Sequence, residues 1–177
     1  MNAYLKINDD LSLDSIRHDD VDELFLYLND DELHRNTLSV PYPYTYDDAK
    51  EFLENGALFV KEFGKMKDWA IRKNEHLIGG ISLLYNDGID AATSEFGFWL
   101  APSYRGEGIM SCVVEAFSTW VFSKMSISTL DAYVFEYNPA SCRVLEKAGF
   151  NFIKFEENAF IKNDQAVNAF FYSKSSI

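Results

Sequence analysis

Cysteine is scarce in this 177-residue chain: there are two, Cys112 and Cys142. That is too few for a disulfide framework, and with only three scattered histidines their spacing matches no zinc pattern. Both are read as free thiols. Basic residues are also in deficit, 16 Lys and Arg against 28 Asp and Glu, so the formal charge is −12. A nucleic-acid reader needs concentrated Lys and Arg to displace counterions, so that class is excluded. The acidic field favours cationic partners such as polyamines, amino sugars or basic protein tails, and it serves equally to keep the chain soluble. Apolar stretches are broken well short of the roughly 18 residues of a membrane span. The start, Met1-Asn2-Ala3-Tyr4-Leu5-Lys6, has no basic patch followed by an apolar run and a small-residue cleavage site, so a cytoplasmic location is expected.

What is present is a core-forming composition, 47% hydrophobic and 16% aromatic, at a length that suits one domain spanning 1–177 with a core of about 10–173. Leu11 to Ile16 alternates like a half-buried strand, and Val21, Leu24, Phe25 and Leu28 recur at helical spacing after a run of Asp residues. Pro41-Tyr42-Pro43-Tyr44-Thr45 reads as an extended loop, with Thr45 or Asp47 capping a helix through Ala49, Phe52 and Leu53. Trp69–Arg72 and Leu77–Leu84 read as a hairpin, and Ser94–Leu100 as a third strand in which Gly97 suggests a bulge or a close backbone approach.

Beyond Pro102, Ile109, Val113, Ala116, Phe117, Trp120 and Val121 fall on one face of a long helix. A strand over Thr129–Phe135 precedes a helix begun by Asn138-Pro139 and stopped by Gly149. Two closing strands flank a turn at Lys162–Gln165. The order β-α-α-β-β-β-α-β-α-β-β is an α/β domain with a mixed sheet of about seven strands and no linker or repeat.

Two stretches carry chemistry. In Trp99-Leu100-Ala101-Pro102-Ser103-Tyr104-Arg105-Gly106-Glu107-Gly108-Ile109-Met110, a strand runs through a glycine turn into a helix. Such a turn presents backbone N–H groups at a positive helix end, which suits a pyrophosphate. No Lys-Ser or Lys-Thr follows, as a Walker loop requires, and no third glycine completes a dinucleotide fingerprint. By itself the turn is equally compatible with an ordinary lead-in to a core helix. The second stretch, Asn138-Pro139-Ala140-Ser141-Cys142-Arg143-Val144-Leu145-Glu146-Lys147-Ala148-Gly149-Phe150, follows some thirty residues later, after the next strand.

Together the two stretches resemble the Arg/Gln-x-x-Gly-x-Gly/Ala and Asn-x-x-Ser…Glu-Lys-x-Gly-Phe signatures of the GNAT acetyltransferases. Glu95-Phe96-Gly97-Phe98-Trp99-Leu100 and Asp47-Asp48-Ala49…Phe52-Leu53 are similar to the branch that acetylates ribosomal-protein N-termini. The resemblance implies a GNAT fold with a mostly antiparallel central sheet flanked by helices, and acetyl-CoA as cosubstrate. It implies that Arg105, Gly106, Glu107, Gly108, Ile109 and Met110 surround the pyrophosphate, mostly through backbone amides. Phe98, Trp99 and Leu100 would pair with the pantetheine arm as an added strand does. Asn138 would touch the cofactor or hold a water, and Ser141 would lie near the thioester sulfur.

Two positions depart from the pattern. Met110 stands where glycine or alanine is preferred, which crowds the turn, and Leu145 stands where many members carry the tyrosine that protonates the leaving thiolate. Ser141 is the nearest matching hydroxyl, with a cap hydrogen bond as its alternative role. Cys142 reads as core. The implied reaction is direct attack by an amine, which must first lose a proton. Glu95 is the candidate base through a water, against the alternative of a solvated strand residue. His18, His34 and His76 fall at element ends and a turn, and carry little catalytic weight.

Acceptor recognition falls to the first helices, where Tyr42, Tyr44 and Tyr46 either clamp a peptide end or cation, or close the core. The acceptor is a protein N-terminus or a small cationic amine, including polyamine or aminoglycoside types, and the chain a monomer or homodimer. A non-catalytic acyl-CoA-binding module is the alternative.

Overall fold

The computed structural model describes residues 4–176; Met1, Asn2 and Ala3, which begin the N-terminal stretch read above, lie outside the described residues, as does Ile177. Among the described residues, eight strands form one mixed sheet in the order β1-β2-β3-β4-β5-β6-β8-β7. The chain divides into two compact units, one running to Leu84 and taking in Gly97–Glu107, the other made of Tyr85–Phe96 and the chain from Gly108 on. Strand β5 (Thr93–Leu100) contributes its first half to the second unit and its second half to the first.

The first unit holds β1 (Leu5–Lys6), β2 (Leu11–Ser15), α1 (Val21–Leu28), α2 (Asp31–Asn36), α3 (Tyr46–Phe63), β3 (Asp68–Lys73) and β4 (His76–Leu84). β1 to β4 pair antiparallel in succession. The eighth strand beyond the seven expected is β1, whose two residues are too short to show an alternation. Leu24, Leu28, Leu33, Tyr44, Ala49, Ala70 and Leu77 make one apolar cluster, with Phe52, Leu53 and Trp99 packed against it. Tyr44 therefore closes the core, while Tyr42 and Tyr46 stay exposed. Helix α3 starts on a reciprocal cap: Thr45 Oγ1 accepts from the Asp48 amide at 3.2 Å, and Asp48 Oδ2 accepts from the Thr45 amide at 2.7 Å.

The polar centre of this unit is Arg72, 1% exposed. Its guanidinium donates to Asp14 Oδ1 at 2.6 Å, to both carboxylate oxygens of Asp20 at 2.8 Å, and to the Ser15 carbonyl at 3.2 Å. The close approach expected at Gly97 occurs at Gly79 instead. A Cβ on Gly79 would stand 2.5 Å from the Trp99 carbonyl oxygen, whereas one on Gly97 would meet nothing within 4 Å.

The second unit holds the first half of β5, then α4 (Ile109–Lys124), β6 (Thr129–Phe135), α5 (Pro139–Lys147), β7 (Asn151–Lys162) and β8 (Gln165–Ser175). β5 and β6 run parallel, with a register from Thr93↔Thr129 to Glu95↔Asp131. Val113, Val114, Phe117 and Val121 of α4 are fully buried, and Phe96 packs on Phe117 and Phe150. β6–β8 and β8–β7 pair antiparallel, and the two-residue turn Asn163-Asp164 takes positive φ at both positions, as a type I′ hairpin requires. Cys142 is buried and Cys112 exposed, and both are free.

Candidate active site

The glycine turn has the backbone its sequence calls for. Gly106 and Gly108 adopt φ of +84° and +79°, a region where a side chain is strained. Gly108 is the residue that caps α4. Among the described residues, the N–H groups from Gly106 through Ser111 donate to no acceptor; the first amide of the helix that does so is Cys112, to the Gly108 carbonyl at 3.2 Å. Such a run of free donors leads into the amino end of a 16-residue helix, where the dipole adds positive potential. A Cβ at either glycine would meet nothing within 4 Å, so open space flanks the turn. Donors, dipole and space together fit an anionic group such as a diphosphate.

The side chains of the turn have other occupations. Arg105 donates through Nε to the Leu100 carbonyl at 3.0 Å and forms ion pairs with Asp30 at 3.3 Å and Glu32 at 2.9 Å. Its guanidinium thus braces the turn, and a phosphate contact by that group has to compete with two carboxylates. Glu107 is exposed and pairs with Lys73 at 3.4 Å. Ile109 and Met110 are both buried, so Met110 sends its side chain into the core and does not crowd the turn.

At the start of α5, Asn138 Oδ1 accepts from the Ser141 amide at 3.2 Å, and Asn138 Nδ2 donates to Ser141 Oγ at 3.0 Å. The cap role of Ser141 is therefore present, and the same bond holds its hydroxyl in place. Leu145 is fully buried and supplies no proton. Tyr172, whose hydroxyl bonds Glu146 at 3.0 Å, lies beside Cys142, whose thiol is pushed up by burial.

Glu95 sits on β5 opposite Asp131 in the parallel register and is not a freely solvated residue. Asn86 Nδ2 donates to Glu95 Oε2 at 2.7 Å. Burial, and then the nearby Asp131 carboxylate, raise its pKa above the ordinary value, while the Asn86 bond opposes that rise. A cluster unannounced by the sequence surrounds it: Tyr133, two residues beyond Asp131 on β6, has its phenol pushed up to about 12, chiefly by burial. A period-two reading of Thr129–Phe135 puts Asp131 and Tyr133 on one face of that strand, and the β5–β6 register brings that face to Glu95.

The sequence profile of the Acetyltransferase (GNAT) domain matches residues 10–151. The chain belongs to the GNAT acetyltransferase family. Among GNAT relatives it is 33% identical over 78 residues to the probable N-acetyltransferase YjcK of Bacillus subtilis, a match covering 44% of this chain and 43% of that protein. The chain thus spans less than half the length of that relative. By fold it is similar to the microcin C7 self-immunity acetyltransferase MccE, solved with acetyl-CoA and AMP: TM-score 0.85, 19% identity, 97% of this chain and 96% of the other. It is also similar to the RimL ribosomal L7/L12 alpha-N-protein acetyltransferase solved with coenzyme A, at TM-score 0.84, 18% identity and 97% coverage of both chains. Among the described residues of this GNAT chain, no group of His, Cys, Asp and Glu could hold a metal, and no helix is long and apolar enough to cross a membrane.

Proposed function

We propose that this protein is a single-domain GNAT N-acetyltransferase that moves the acetyl group of acetyl-CoA to a primary amine of a protein N-terminus or a small cationic molecule. The observation that carries the reading is the row of free amide donors from Gly106 to Ser111 at the mouth of α4. Those amides hold the diphosphate. Phe98, Trp99 and Leu100 offer backbone to the pantetheine arm, and Asn138 and Ser141 attend the thioester end. Acetyl-CoA supplies an activated carbonyl; the neutral amine nitrogen bonds to it, the carbon–sulfur bond breaks, and the leaving thiolate takes up the second proton, which the nitrogen sheds as it becomes an amide. Glu95, through a water, takes the proton the ammonium must lose before attack. An acidic chain, with Asp131 beside Glu95, draws a cationic acceptor towards such a base. The ribosomal-protein branch is supported by the motif likeness around Glu95–Leu100 and by RimL among the fold neighbours.

The test is coenzyme A release across a panel of peptides with free N-termini, polyamines and amino sugars. At least one acceptor is expected to raise release well above the enzyme-free rate; a flat panel sinks the transferase reading. If acetyl-CoA still binds in that case, the non-catalytic acyl-CoA-binding module is what remains. The Gly108→Val variant separates the cofactor claim from the acceptor claim. At φ +79° a β-branched residue costs about 1–3 kcal/mol of strain, so the turn rearranges although no side chain blocks valine. Calorimetric titration should give acetyl-CoA affinity at least about tenfold weaker, with an unchanged circular dichroism spectrum. Equal affinity would remove the turn from the site.

A further inference from the structure

The first unit contains a cleft of about 150 Å³ between α3 and the neighbouring ends of β2 and β3, and none of its residues is assigned to the cofactor. Ile16, Phe52, Leu53, Gly56 and Val60 give it apolar walls, and His18, Lys67 and Asp68 line it too. The Asp68 side chain is 12% exposed. Its Oδ1 accepts from Ser82 Oγ at 2.7 Å. Its Oδ2 is buried and has no hydrogen-bond partner among the described residues. Lys67 Nζ makes a long ion pair with Oδ2 at 4.0 Å, beyond hydrogen-bond reach, and lies over the Phe59 ring. A buried carboxylate oxygen without a donor is costly, and folded proteins rarely leave one so.

Gly56 adds to the case. It lies inside the 18-residue helix α3, where glycine is less stable than alanine by about 1 kcal/mol. A methyl group there would touch only Asp68 Oδ2, at 3.8 Å, which is ordinary contact. Packing therefore does not demand glycine. What the missing side chain provides is room above the carboxylate.

We propose that this cleft binds a small organic cation with an apolar body, its ammonium donating to Asp68 Oδ2 and its body lying against Phe52, Leu53 and Val60. A guest without a donor leaves Oδ2 without a hydrogen bond, a neutral donor such as an alcohol meets it without offsetting its charge, and an anion meets both Asp68 and a chain of charge −12. An apolar cavity of about 150 Å³ takes a benzene-sized body. Burial holds the Asp68 pKa above its ordinary value, in keeping with a carboxylate short of partners.

The experiment uses the full chain without acetyl-CoA, so its outcome is independent of the transferase reading. Benzylammonium and n-butylammonium are titrated while the amide signals of Gly56 and Asp68 are followed by NMR, with benzyl alcohol as the neutral counterpart. At least one ammonium should saturate those shifts, and benzyl alcohol should bind at least about tenfold more weakly. Asp68→Asn, which keeps the shape and removes the charge, should weaken the ammonium by a similar factor; Gly56→Leu should abolish binding by filling the cleft. The proposal is overturned if neither ammonium saturates, if Asp68→Asn binds like the parent, or if the alcohol matches the ammonium.

Discussion

Replacing Arg72 by methionine is expected to destabilise the protein by about 3–5 kcal/mol, the range found when one partner of a buried ion pair is removed. The loss does not come from the cation itself. With Arg72 gone, Asp14 and Asp20, whose side chains are 13% and 7% exposed, keep their burial and lose the donors that offset it. Asp20 retains the Arg17 amide at 2.6 Å, and Asp14 retains the exposed Arg17 side chain, so neither carboxylate is wholly orphaned and the cost stays within that range. For a chain of this size it corresponds to a fall in melting temperature of roughly 6–20 °C. Arg72→Lys should fall in between, because a single ammonium cannot repeat the fork that bonds both oxygens of Asp20 together with Asp14. Thermal or urea unfolding measures both variants. A melting temperature within about 2 °C of the parent for Arg72→Met would show that the network contributes specificity and not stability.

That network also marks where reading the chain alone stops. Arg72 meets Asp14 and Asp20 across 58 and 52 positions, and no local pattern joins an acidic residue at a helix start to an arginine in a strand. The Asp residues before Val21 look like favourable charges at a helix amino end, yet Asp20 accepts both from the Arg17 amide and from Arg72. Arg105 repeats the lesson: its place in a phosphate-type turn suggests an anion contact, and its partners Asp30 and Glu32 are more than seventy positions away. Features with local causes were legible. The cap at Thr45, one of two candidates, the α4 face through Val113, Phe117 and Val121, and the strand β6 follow from spacing and propensity, and all are present. α2, six residues long, is too short for a helical repeat to declare itself; its signal is the cap at Asp30, which accepts from the Leu33 amide. In the candidate site the glycine turn could be read because positive φ demands glycine. The environment of Glu95 could not, since the raised pKa depends on burial and on Asp131 beside it.

Glu95 carries the second large expectation. As the proposed base it must be ionised to accept a proton, and a carboxyl held above its usual range is a stronger base once ionised than an ordinary one. With the acceptor identified by the amine panel, Glu95→Gln should lower kcat/KM by about 10²–10⁴-fold, the usual contribution of a general base, while acetyl-CoA affinity stays as it was. The sign of the pH dependence follows from the direction of the shift. Activity rises as pH climbs through the Glu95 pKa, so this ascending limb lies above the ordinary carboxylate range, and it should be missing from Glu95→Gln. Two further variants move the limb in opposite directions. Asp131→Asn removes the like charge that raises Glu95 and should carry the limb to lower pH, and Asn86→Ala removes the 2.7 Å bond that opposes the rise and should carry it to higher pH. A residue with only a structural part to play would lower activity on substitution and leave the shape of the profile alone. If all three variants keep the parent's limb, the proton leaves the acceptor by another route and Glu95 is not the base.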